Sequence, residues 1–156
     1  MRYSLDVRPR ELGRLIPRFV GIVGRKYLDK RFAALERQLG ASDVMALELR
    51  ERLSLKFALS SLIRRKRTYG KVPKKALDDP EFRAIAFITK FVRTHSGLKK
   101  LGRDRLVGMI RKGLKETLIP LEFELTAAGH FLRQGFDVDF VDLEGRGNFD
   151  LFCGGW

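Results

Sequence analysis

Two acidic residues occupy positions where an ionised side chain is costly. Glu124 lies in the segment 118–134, whose apolar residues recur at the helical interval. Drawn at about 100° per residue from Leu121, that helix places Leu125, Ala128 and Leu132 within roughly 40° of it, and Phe131 and Ala127 extend the arc. Glu124 falls inside the arc, between Phe131 and Ala128, whereas Glu122 faces the polar side with Thr126, Gly129 and Arg133. A carboxylate on a buried face needs a partner, and a metal ion, an arginine or a backbone amide can serve. Asp150 sits between Phe149 and Leu151, in the most apolar run of the tail, in a strand interior to which Asp is poorly suited. Carboxylates from a helix and an adjoining strand can begin a hard-cation site. Mg2+ takes oxygen ligands and often only one or two of them from protein.

The elements that position these acids follow from the surrounding pattern. Phe136, Val138, Phe140 and Asp137, Asp139, Asp142 set up an alternating strand over 136–142, entered from the helix through Gly135. Residues 144–148 form a turn and 149–153 a second short strand. Upstream the chain reads as helical. The segment 11–39 gives two helices with a bend, prompted by Pro17, Gly21 and Gly24. A long helix runs over about 44–62 and ends in the cations Arg64, Arg65, Lys66 and Arg67. Residues 68–77 form a loop. Asp79, Pro80 and Glu81 start a helix reaching about Thr94, with Phe82, Ile85, Ala86, Ile88, Phe91 and Val92 buried. The stretch 96–115 reads as one or two short helices broken at Gly102 and Gly113. The expected fold is mostly α: a basic helical region, 1–116, followed by a helix–strand–strand α/β unit, 117–156.

The tail Pro120-Leu121-Glu122-Phe123-Glu124-Leu125-Thr126-Ala127-Ala128-Gly129-His130-Phe131-Leu132-Arg133-Gln134-Gly135-Phe136-Asp137-Val138, with Asn148-Phe149-Asp150-Leu151, resembles the opening of a PD-(D/E)XK nuclease core. That superfamily has the restriction-endonuclease-like fold. The resemblance covers roughly the last quarter of the chain and rests on short, permissive motifs. It implies that Glu124 is the helix acid and Asp150 the metal-binding Asp, both catalytic positions holding Mg2+, with Glu122 the second choice for the helix acid. The family carries its paired Glu and Lys on a third strand, and no Glu or Lys follows Asp150 in these 156 residues. In the family the metal binds both acids and lowers the pKa of the attacking water, while the Lys orients that water. The expectation is therefore a truncated or degenerate member of a metal-dependent DNA nuclease lineage that binds nucleic acid without cleaving it.

Charge points to the same partner. The chain carries 32 Lys and Arg against 19 Asp and Glu, a net +13. The net is +6 over 1–60, +12 over 61–116 and −5 over 117–156. Such an excess favours polyanions, nucleic acid (DNA in the leading reading) before an anionic membrane surface. The contact residues expected are Arg64, Arg65, Lys66, Arg67, Lys71, Lys74 and Lys75 in one patch. Lys99, Lys100 and Arg103, with Arg105, Arg111 and Lys112, make a second. Two competing readings stand beside this one: a non-enzymatic basic helical module whose tail is only structural, and an interaction module that self-associates or pairs through its C-terminal strand edge.

Other chemistries are set aside. Cys153 is the single cysteine, which excludes an intrachain disulfide and a cysteine-rich zinc site, and no His/Asp arrangement supports it as a nucleophile. His95 and His130 lack a partner at ligand spacing, and His95 is expected to be exposed. The glycines 21 and 24 lack phosphate-loop spacing. No apolar run approaches the roughly 20 residues that cross a bilayer, and the N-terminal residues lack the order of a secretory signal, so a cytoplasmic protein is expected.

Overall fold

The computed structural model describes residues 9–39, 54–69, 79–140 and 151–154. These form six helices and a two-stranded sheet: α1 (Pro9–Val23), α2 (Arg25–Leu39), α3 (Ser54–Tyr69), α4 (Asp79–Gly97), α5 (Lys100–Lys115), α6 (Ile119–Arg133), β1 (Asp137–Phe140) and β2 (Leu151–Gly154). The protein is mostly helical. No helix among the described residues is long and apolar enough to cross a membrane.

The chain forms two compact units, Met1–Thr89 and Lys90–Trp156, so the division falls within α4. The boundary read from sequence, 116/117, lies between α5 and α6 inside the second unit.

In the first unit α1 packs on α2 and on α3. Ile16, Phe19, Val20 and Val23 of α1 are buried, as are Leu28, Phe32 and Leu35 of α2, in the i, i+3, i+4, i+7 pattern of a helix with one core face. The bend lies at Gly24, whose φ of 102° suits a residue without a Cβ. The Gly24 carbonyl accepts from the Leu28 N–H at 3.0 Å and so begins α2. Pro17, expected to contribute to the break, sits on an exposed face inside an unbroken α1. Helix α3 continues beyond its basic run to Tyr69, so Thr68 and Tyr69 are helical rather than loop. Residues 40–53 and 70–78, which include part of the expected third helix and most of the expected loop, lie outside the described residues.

In the second unit α5 packs on α6 and β1, and α6 on both strands. Leu106, Met109, Ile110 and Leu114 of α5 are buried, and so are Leu121, Leu125 and Ala128 of α6 and Val138 of β1. Three sequence expectations are corrected here. Residues 100–115 form one continuous helix, with Gly102 and Gly113 buried inside it and not breaks. A Cβ on Gly113 would stand 2.9 Å from Leu118 Cδ2, and one on Gly102 would touch Leu98 at 3.4 Å. Helix α4 runs to Gly97 rather than stopping near Thr94, and its Phe82, expected in the core, is 47% exposed.

Helix α6 ends as its sequence predicts. Gly135 has φ 85° and donates its N–H to Leu132 O at 3.1 Å, while the Phe136 N–H reaches back to Phe131 O at 3.1 Å. This pair of bonds is the Schellman arrangement. The Phe131 and Phe136 rings meet edge to face across it, 6.0 Å apart. The chain is thereby turned directly into β1, which pairs antiparallel with β2 in the register Asp137–Gly154, Val138–Cys153, Asp139–Phe152 and Phe140–Leu151.

Candidate functional site

Glu124 is the one residue of the sequence-derived acid pair that lies among the described residues. Its position follows from the helical period: Leu121, Leu125 and Ala128 are buried on the face that α6 turns inward, and Glu124 shares it at 5% exposure. Its Oε2 is buried without a hydrogen-bond partner. Loss of solvent around the carboxyl raises its pKa from an ordinary 4.5 to about 7. A carboxyl in this state is poised between neutral acid and anion near neutral pH. The anion has an oxygen for which the surrounding protein supplies no donor.

Asp150 lies outside the described residues, one position before β2 begins. Glu122 is half-buried in the first turn of α6 rather than fully solvated, and its backbone carbonyl accepts from Thr126 Oγ1 at 2.9 Å. Lys90 Nζ of α4 in turn donates to Thr126 Oγ1 at 2.9 Å. Among the described residues no group of three or more His, Cys, Asp or Glu side chains comes together as a metal cage. The fit to a divalent ion rests on the orphaned Glu124 oxygen, which suits one oxygen-ligand position of a hard cation.

The expected cation patches divide. Arg64 is held by the Glu36 carboxylate, an exposed ion pair between α3 and α2. The side chains of Arg65, Lys66 and Arg67, and all of Lys71, Lys74 and Lys75, lie outside the described residues. Arg103 has a structural task that its charge alone does not announce. Its Nε donates to Leu98 O at 2.8 Å and to His95 O at 3.1 Å, and a terminal nitrogen donates to Ser96 O at 3.3 Å. With His95 O and Ser96 O it thus caps carbonyls in the last turn of α4, where a cation also meets the negative end of the helix dipole. Lys99 Nζ stands 3.6 Å from Asp137 Oδ2 in an exposed pair. Lys100 is exposed and makes no ion pair with another described residue.

Sequence reasoning missed Lys115, which shares the exposed face of α5 with Lys100 and Arg111. The signal was the spacing of 11 and then 4 residues, a helical row that becomes legible only when α5 is unbroken. It also missed the burial of Lys56 and Glu81, which are 6% and 3% exposed; Ser61 Oγ donates to Glu81 Oε1 at 3.5 Å. His95 is half-buried and stacked on Phe91 at 6.3 Å, not exposed as expected. His130 is exposed beside Gln134.

No protein-family model, no curated protein and no solved structure matches the chain.

Proposed function

We propose that the chain binds nucleic acid, DNA in the first instance, and that residues 117–156 correspond to the opening of a PD-(D/E)XK nuclease core in which Glu124 faces a divalent cation. The observation that carries this reading is the Glu124 carboxyl. It is buried with an unpartnered oxygen on a helix that leads through a positive-φ glycine into an antiparallel hairpin. The net charge of +13 supports the polyanionic partner.

Glu124 supplies one carboxylate to the ion, and Asp150, by the resemblance, the second. Bound there, Mg2+ supplies positive charge for a phosphate oxygen. The protein holds the Glu124 oxygen out of water, on a rigid helix, in a place that the side chain's own neighbours leave unsatisfied. The proposal assigns this chain binding and no hydrolytic step. It also sets the protein in the cytoplasm.

Titration calorimetry of Mg2+ into the protein at pH 8, where Glu124 is mostly ionised, tests the site. One binding event is expected, lost in Glu124→Gln. At pH 7 the same event should release protons, seen as a dependence of the heat on the buffer, because metal binding displaces the proton that Glu124 partly retains. Absence of binding at pH 8, or unchanged binding in the variant, overturns the metal-facing role.

A further inference from the structure

Helix α5 presents a face whose composition selects a partner. At about 100° per residue from Lys100, Arg111 lies near 20°, Lys115 near 60° and Lys112 near 120°, and all four are exposed. Asp104, near 40°, is the single acid in that arc, so its net charge is +3. The opposite side carries the buried Leu106, Met109, Ile110 and Leu114, which fix the helix against the rest of its unit. Lys100, Lys112 and Lys115 make no ion pair with another described residue. Arg103, the remaining strongly exposed cation of this helix, is turned away to cap α4.

We infer that this face of α5 docks on the phosphate backbone of duplex DNA, without reading its sequence. The inference deepens the nucleic-acid reading above and rests on it. Three features choose this occupant. Lys100 and Lys115 are 15 residues apart on one continuous helix, a span of about 22 Å at 1.5 Å per residue, which suits an extended, stiff polyanion better than a single phosphate. Residues 100–115 contain no aromatic side chain, and proteins that track single strands rely on aromatic stacking. They also contain no Asn or Gln to read adenine and no Ser or Thr, and three of the four cations on the face are lysines, point charges suited to phosphates. Gly108 and the exposed Leu101 complete the arc and add no further charge to it.

The test is fluorescence anisotropy with a labelled duplex of arbitrary sequence, over a series of salt concentrations. Each phosphate contact on duplex DNA contributes about −0.9 to the slope of log K against log salt. The triple variant Lys100→Gln, Lys112→Gln, Lys115→Gln should therefore lose about 2.7 from the slope, and on the order of 100-fold in affinity at 0.1 M salt. Replacing the same lysines with Arg should keep both. The control Arg25→Gln, Lys26→Gln, Lys30→Gln removes three exposed cations from α2, in the other unit, and should leave the slope nearly unchanged. Circular dichroism checks that each variant folds, as expected for exposed positions. Equal losses in the α5 and α2 variants, or an unchanged slope in the α5 variant, overturn the assignment to this face while leaving nucleic-acid binding in place. Wild-type protein that ignores the duplex, or that binds only anionic lipid vesicles, overturns the nucleic-acid reading itself.

Discussion

At the scale of single residues, Glu124 has a consequence for stability that is independent of any ligand. Its pKa is raised in the folded state, so the folded protein holds this proton more tightly than the unfolded chain does. The associated stability is fully present below about pH 4.5 and is lost as pH rises through about 7. Glu124→Gln removes the charge and keeps the shape. It should leave stability little changed at pH 5 and raise it by up to about 3 kcal/mol at pH 8, measured by urea unfolding at both values. An equal effect at both pH values would show that the carboxylate is not the penalised species. Burial of Glu124 was legible in the sequence because a helical face is a matter of spacing. The role of Arg103 was not, since capping depends on where another helix ends, and a cation in a basic stretch looks the same whether it faces water or three carbonyls.

At the scale of elements, glycines divide by what surrounds them. Gly135 joins α6 to β1 at φ 85°, so Gly135→Ala should destabilise the protein by about 1 kcal/mol, read from the midpoint of thermal unfolding. Gly108 lies in the middle of α5 with open space around the Cβ position, and Gly108→Ala should stabilise by about 1 kcal/mol in the same measurement. Arg103→Ala should cost about 1–2 kcal/mol by uncapping α4, while Lys100→Ala, with no bond to lose, should be near neutral. The order helix, glycine, strand was readable from 118–138 because the period changes there from 3.6 to 2. The continuity of α5 was not. Gly102 and Gly113 read as breaks by composition, whereas in the structure both are buried inside an intact helix, close to Leu98 and Leu118. Phe82 misled in the other direction: it fits the apolar stripe of α4 yet stands largely in solvent, in the first turn of the helix.

At the scale of the molecule, the account joins a cationic helical chain to one carboxylate that its neighbours leave unsatisfied. In the proposed reading the net charge of +13 sets the partner's class, because a cationic chain attracts polyanions. The carboxylate is the term that separates a nuclease-like chain from a basic module whose tail is only structural. Both readings predict DNA binding, and only the first couples that binding to a divalent ion at Glu124. The most direct measurement is the affinity for duplex DNA at pH 8 with Mg2+ and with a monovalent salt of equal ionic strength, for wild type and Glu124→Gln. The account predicts that Mg2+ favours the wild-type complex over the variant by on the order of tenfold, with the two alike in monovalent salt. Identical responses to Mg2+ in both proteins would contradict it.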